Sequence, residues 1–342
     1  MSDAIHHPWQ TPPAASEAIE IARDILWIRL PLPMALDHVN VYALADPEGW
    51  TLIDTGLSSR KTKAIWQSLI DGPLAGKPIR RLIVTHHHPD HIGLAGWFQS
   101  MGVELLIPRT AWLLARMLVL DEQPLPTPES MLFYQRAGLS AAMLAAKASE
   151  RPFNFADVVD PLPQGFTRLE DGGEINAGGR HWQIRFGHGH APDHATLWSL
   201  DDTLILGGDQ LLPGISANIG VYPTEPEADP LGDWLTSTEA FAPLARPDHL
   251  VLPGHKLPFT GLPFRLIQMA ENHHSALDRL RTHLATPQTA AACFLPLFKR
   301  EITGDAFGMA LVEAVAHLNY LLKRGLVSRS LDGEGAWEWQ AP

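Results

Sequence analysis

One cysteine, Cys293, stands in 342 residues, which excludes an internal disulfide and any zinc module built from several thiolates. No run of about 18 apolar residues occurs, so no membrane span is expected and no membrane partner. Basic charge is scarce: Lys+Arg 26 against Asp+Glu 38 gives −12. That balance disfavours a generic nucleic-acid surface, although a local basic patch survives any total. The opening MSDAIHHPWQTPPAASEAIE lacks a basic-then-apolar secretory pattern, and a cytoplasmic protein is expected. With 45% apolar and 19% charged residues the chain reads as globular, one large domain or two ordinary ones. What it has in abundance is histidine, 17 residues.

Residues 1–18, rich in Pro, Ala and His, read as a loose arm in which His6 and His7 carry no role. From Ile21 the runs ILWIRLPL, HVNVYALAD and GWTLIDTG are β-branched and aromatic, separated by Pro, Asp and Gly, as strands are. SSRKTKAIWQSLI is helical, capped by Ser58 or Ser59. RRLIVTH is a buried strand, the segment from Ile92 a helix, and VELLIPR a further strand. Strand and helix in alternation predict sheets covered by helices, an α/β fold. AWLLARMLVL and GLSAAMLAAKA break the rhythm with high helix propensity, giving a helical insertion at about 108–152. The HWQIRF, HATLWSL, TLILGGD and HLVLPGH segments resume the strands, and a long helix runs from about Leu262 with His273 on its apolar face. Two helices and a hairpin turning at Asp332-Gly333-Glu334-Gly335 close the chain. The expected division is 1–18, 19–272 and 273–342.

The strongest local signal is Thr85-His86-His87-His88-Pro89-Asp90-His91-Ile92-Gly93, after the apolar strand RLIVT. Residues two apart on extended backbone point the same way, so His86 and His88 can share one ion. Pro89 turns the chain, and Asp90 and His91 can then face a second ion. A lone histidine pair is more often an accident of a surface loop; four potential ligands within six positions point to metal. Three further residues follow strands: His190 after QIRF, Asp209 after TLILGG and His255 after HLVLPG. Each alone is an ordinary turn residue, and His188 competes with His190.

Taken together, these residues resemble the metallo-β-lactamase fold superfamily, with its H-x-H-x-D-H signature followed by a distant His, Asp and His. The resemblance covers about residues 20–272. It implies an αββα sandwich of two mixed β-sheets flanked by helices, and a dinuclear site like that of glyoxalase II. Carried over, His86, His88 and His190 hold the first ion, Asp90, His91 and His255 the second, and Asp209 bridges them. Asp54, in TLIDTG, matches an early acidic position that orients ligands. His87 and His194 are neighbours of the ligands, or donors that support them, rather than ligands. Imidazole and carboxylate donors suit two divalent ions, zinc first, with iron or manganese also compatible. Two ions about 3.5–4 Å apart lower the pKa of a shared water towards ~7. The implied activity is a metal-bridged hydroxide attacking a small ester, thioester or lactone, with Asp90 and Asp209 as catalytic carboxylates.

Departures narrow this. Asp209 argues against a true β-lactamase, and His88 against the flavodiiron branch, which tends to carry Glu there. Homoserine-lactone lactonases place a tyrosine soon after the bridging Asp, where this chain has Gln210, Leu211 and Leu212; Tyr222, on a later loop, is the candidate for that place. Residues 273–342 resemble the winged-helix-like tail found after thioesterase-like proteins of quinolone biosynthesis and after a group of endoribonucleases. A metal-dependent phosphodiesterase or endoribonuclease is therefore the alternative, and a low-turnover metal-binding regulator a third reading. Basic and acidic side chains balance over 275–342, which supports packing or a homodimer rather than phosphate binding. Trp112, Leu113, Met117, Met131, Phe133 and Tyr134 of the insertion form an apolar roof for an acyl substrate, or pack on one another as a helical hairpin.

Overall fold

The computed structural model describes residues 5–342, in two compact units. The first takes the chain up to Glu122, then Phe153–Ala217 and Leu244–Arg265; the second takes Gln123–Pro152, Asn218–Pro243 and Leu266–Pro342.

Alternation along the strands builds the first unit. Its larger sheet runs β1 (Ile19–Ala22), β2 (Ile25–Pro31), β3 (His38–Asp46), β4 (Gly49–Ile53), β5 (Ile79–Ile83), β6 (Glu104–Pro108) and β7 (Thr167–Leu169) in sequence order. Pairing is antiparallel from β1 to β4 and parallel from β4 to β7. The second sheet is ordered β12 (Leu250–Pro253), β11 (Leu204–Gly208), β10 (His194–Ser199), β9 (Arg180–Gly187), β8 (Glu174–Ala177), with only β11 and β12 parallel. Trp27, Tyr42, Ile53 and Ile83 of one sheet meet Trp182, Ile184, Leu197 and Leu252 of the other. The alternate positions Val41, Leu52 and Leu82 face the opposite way, onto α1 (Arg60–Asp71) and α3 (Ala95–Ser100). Both faces of the large sheet are thus buried, which explains runs without polar alternation such as IRRLIV. Trp66 of α1, fully buried with its Nε1 donating to Thr55 O at 2.8 Å, anchors that layer. Its replacement by Ala costs about 3–5 kcal/mol.

Local signals set the helix starts. Ser59 is the cap of α1, its Oγ accepting from Thr62 N at 3.0 Å. Helical turns begin earlier than Ile92: α2 (Pro89–Ile92) uses Pro89 at its start and stops before Gly93 and Leu94, after which α3 begins. The segment expected as one insertion is divided. α4 (Arg109–Leu120) belongs to the first unit, with Ala111 and Ala115 buried in its core, whereas α5 (Pro128–Arg136) and α6 (Ala141–Ala148) belong to the second. Residues 5–18, read as a loose arm, are tied down: His6 and Thr260 exchange two backbone hydrogen bonds, His7 Nδ1 lies 3.0 Å from Pro258 O, and Trp9 packs against the core of the first unit.

The second unit also holds α7 (Pro230–Phe241), most of α8 (Leu262–His283), α9 (Phe294–Phe298), α10 (Phe307–Lys323) and the hairpin β13 (Ser328–Leu331)–β14 (Trp337–Gln340). Helix α7 has no counterpart among the sequence expectations. Its signals are Asp229, whose carboxylate accepts from Gly232 N, Pro230 after it, and Leu231, Trp234, Leu235, Thr238 and Phe241 at helical spacing. His273 is a core histidine as expected, its Nδ1 3.3 Å from His317 Nε2, and His274 is exposed. Among the described residues no helix is long and apolar enough to cross a membrane.

Candidate metal centre

The site lies where strands of both sheets end. Asp54 follows β4, the 86–91 loop follows β5, His190 follows β9, Asp209 follows β11 and His255 follows β12. Strand carboxyl ends leave a crevice that loops can line, the usual ligand position in such sheets.

Seven side chains converge there. His86 Nε2 and His190 Nε2 each lie 3.0 Å from His88 Nδ1. A ring nitrogen carries one proton or one lone pair and cannot serve both neighbours. A cation between the three rings satisfies all of them. Asp90 Oδ2 lies 3.3 Å from His255 Nε2 and 3.5 Å from His91 Nε2. Asp209 reaches both groups: Oδ2 is 3.5 Å from His190 Nε2 and 3.2 Å from His255 Nε2, while Oδ1 is 3.4 Å from His91 Nε2. Three sets have donor atoms close enough to hold an ion: His86, His88 and His190; His86, His91 and Asp209; Asp90, His91 and His255. His91 Nε2 and Asp209 Oδ1 are buried without a hydrogen-bond partner among the described residues. Orphaned buried polar atoms on several facing donors fit divalent ions. The donors are all nitrogen and oxygen. Cys293 is in the second unit, buried, its thiol pushed up to about 12 by that burial.

Outer contacts aim these donors. Asp54, held at φ 61°, accepts from Thr85 N at 2.8 Å, Thr85 Oγ1 at 2.9 Å and His91 Nδ1 at 2.8 Å. His91 therefore turns Nε2 to the cluster, the orienting arrangement expected of Asp54. His255 Nδ1 donates to His38 O at 2.7 Å, which aims its Nε2 the same way. His188 is not in the cluster: it is exposed beyond a third, and its Nδ1 accepts from Asp193 N at 3.2 Å. His190, 7% exposed, is the residue that turns inward.

Electrostatics sort the histidines. Burial, reinforced by neighbouring imidazoles, holds His86 and His88 well below the ordinary value, so both are neutral, as ligands must be. Burial would lower His255 too, but Asp209 and Asp90 overcome it and push it up to about 10. His91 is raised well above its usual range against burial by Asp209, Asp90 and Asp54. Burial opposes ionisation of Asp209, yet His255 and His91 keep its carboxyl well below the normal range.

Two supporting residues escape sequence reasoning. A Cβ on Gly254 would crowd Asp209 Oδ1 and lie 2.9 Å from His91 Cε1. Gly208, at φ 47°, lies against His194, whose Nε2 accepts from Asp209 N. Glycine directly before Asp209 and directly before His255 was the available signal. Phe133, Tyr134 and Tyr222 all lie in the second unit, where Phe133 lines a cavity of about 320 Å³ with Trp337 and Trp339. Trp112 stacks on Phe166 at 4.8 Å and packs against the core of the first unit.

Comparison with known proteins follows the same lines. The profile described as the metallo-beta-lactamase superfamily matches residues 34–255, and that described as the metallo-beta-lactamase-like C-terminal domain matches 277–342. A probable metallo-hydrolase, YqjP, from Bacillus subtilis (strain 168) is 25% identical over 303 residues, 87% of this chain and 92% of that protein. The crystal structure of a beta-lactamase domain protein from Burkholderia ambifaria superposes with a TM-score of 0.89 at 32% identity, covering 99% of this chain and 97% of the other. TTHA1429, a metallo-beta-lactamase family protein from Thermus thermophilus, gives 0.79 at 25% identity, over 94% and 100%. With mixed sheets flanked by helices, a histidine–aspartate cluster at their strand ends and matches across both parts of its length, the chain belongs to the metallo-β-lactamase superfamily.

Proposed function

We propose that this chain is a dinuclear metal-dependent hydrolase of a small ester, thioester or lactone, with zinc as the first candidate ion. The observation that carries the reading is Asp209. One carboxylate lies within 3.2–3.5 Å of His190, His255 and His91, residues of both expected ligand sets. Bridging two ions is what such a carboxylate does well, because each oxygen takes one cation and its charge offsets their repulsion.

Bound divalent ions would supply an acidified water and polarisation of the substrate's reacting oxygen. The protein's own share is orientation and proton handling. Asp54 and His38 fix the rings of His91 and His255, and His194 fixes the backbone from which Asp209 projects. Asp90 presents Oδ2 to two histidines and is one-fifth exposed. That exposure would let Asp90 take a proton from the attacking water and return it to the leaving oxygen or sulfur. No serine or cysteine nucleophile enters this scheme.

The test is elemental analysis of protein purified without added metal, followed by assays on acyl-thioester, ester and lactone panels and on RNA. Two ions per chain and turnover of an acyl substrate support the reading. RNA cleavage without acyl turnover, or two bound ions with no turnover at all, overturns it.

A further inference from the structure

A second feature of the first unit lies beside His255. A cavity of about 580 Å³ is lined by His7, Arg29, His38, Pro213–Ile215, Lys256 and Leu257, with Gln10 and Pro12 at its margin. That volume is ordinary for a small-molecule site. Lys256 directly follows His255, the 213–215 segment follows Asp209 by four residues, and the His38 ring lies 6.1 Å from that of His255. Two parts of the cavity wall, Pro213–Ile215 and Lys256–Leu257, thus belong to the loops that follow Asp209 and His255, while Arg29 and His38 come from β2 and β3.

Its charge is opposite to that of the chain. In a protein of net −12 the lining holds Arg29 and Lys256 and no carboxylate. The acidic neighbour is Asp37, 81% exposed, whose Oδ1 accepts a hydrogen bond from His38 Nδ1 at 2.6 Å and which acts on Arg29 only through space. Arg29 Nε is buried without a hydrogen-bond partner among the described residues. Lys256 forms no ion pair among them either, and its backbone sits at φ 68°. A left-handed conformation costs a non-glycine residue about 1–2 kcal/mol, and glycine nothing. The turn is pinned by Lys256 N donating to His38 Nε2 at 2.9 Å and Asn40 Nδ2 donating to Lys256 O at 2.8 Å. A lysine at a position suited to glycine is backbone strain in the wall of this cavity.

We propose that this cavity recognises an anionic group on the substrate, a carboxylate or a phosphate, with Arg29 and Lys256 determining specificity. The molecule cleaved is then an ester, thioester or lactone that also bears an acid. This rests on the hydrolase reading, and the test separates the two.

On the metal-loaded full-length protein, binding of succinate, glycerol 1-phosphate and the neutral succinamide is measured by calorimetry. Hydrolysis of a succinyl thioester is compared with that of the matching butyryl thioester. Arg29→Met and Lys256→Gly should each weaken binding of the preferred anion about tenfold and reduce the kcat/KM preference for the acid-bearing thioester about tenfold, chiefly through KM. Lys256→Gly relieves the backbone strain, so a folding failure cannot account for its loss. Stronger binding of succinate or of glycerol 1-phosphate identifies the anion. If no thioester is turned over but the variants still lose anion binding, the hydrolase reading fails and the cavity assignment stands. Parent-like anion affinity in both variants overturns the proposal, as does RNA cleavage that depends on both cations.

Discussion

His194 Nε2 accepts the backbone N–H of Asp209 at 3.0 Å. Its ring stacks on His86, centroids 4.5 Å apart, and burial drops its pKa to about 3. A neutral imidazole with its lone pair committed to that amide cannot also ligate through Nε2; it sets the backbone from which Asp209 reaches both histidine groups. His194→Leu should lower metal affinity about 10–100-fold, the usual effect of removing an orienting contact. His194→Gln, whose side-chain oxygen can accept the same N–H, should lose less. Metal-binding titration of both variants checks this, and equal losses would refute it.

Asp209→Ala and His88→Ala should abolish acyl-ester turnover, with metal content falling below two per chain. Elemental analysis beside rate measurements decides the matter. Near-normal rates in both variants would defeat the bridging role.

Gly254→Ala tests close packing rather than ligand chemistry. The added methyl group meets Asp209 Oδ1 and His91 Cε1, so one carboxylate must shift. Metal affinity should fall at least about tenfold while far-UV circular dichroism is unchanged, on the scale of other displaced outer contacts. A Gly254→Ala protein binding metal as the parent does would show that the site yields freely.

Glu313 predicts a pH effect in the second unit. Burial pushes its carboxyl up to about 7, partly offset by Asn218 Nδ2 donating at 2.8 Å. The folded chain therefore keeps a proton that the unfolded chain releases near pH ~4.3. Stability from this group is complete below that value and is lost as pH rises through 7, at about 1.4 kcal/mol per unit in between. Burial lowers His273 to about 3 and His317 to about 4, so their contribution has the opposite sign and fades as pH falls below the ordinary histidine range. Comparing parent with Glu313→Gln isolates the first effect: the variant should gain relative stability between pH 5 and pH 8 in urea melts. A difference independent of pH would disprove it.

Chelation should destabilise the chain as well as silence it. An ion present at 100-fold its Kd contributes about 2.7 kcal/mol to folding, which is roughly 5–10 °C in Tm for a unit of this size. Thermal melts with and without a chelator measure the shift, and identical curves would argue against bound ions.

The chemistry was more legible than the architecture around it. His86 and His88 declared themselves because spacing on extended backbone translates directly into direction, with Asp90 and His91 beyond the turn at Pro89; His190, Asp209 and His255, each an ordinary turn residue alone, were legible only through the resemblance to the superfamily. Helix α7 was missed because Asp229-Pro230 reads equally well as a turn. The fate of the insertion was hidden for a different reason. Ala111 and Ala115 have the same propensity whether they roof a site or seal a core, and only the surface they meet decides between those roles. His194 was expected beside the ligands, but its acceptance of the Asp209 N–H leaves no mark in the spacing, and Gly254 acts only through the room it leaves.

Asp54 and the 86–91 loop hang from the larger sheet, whereas His190, Asp209 and His255 hang from the smaller one. Any cation gripped by both groups is thus a bolt through the sandwich, joining chain segments more than a hundred residues apart, as His86 and Asp209 are. An ion held only when both layers are in place stabilises the folded chain by mass action. Parting the two layers and releasing the ions would then be one event, and the fold would open along the very seam where its chemistry is kept.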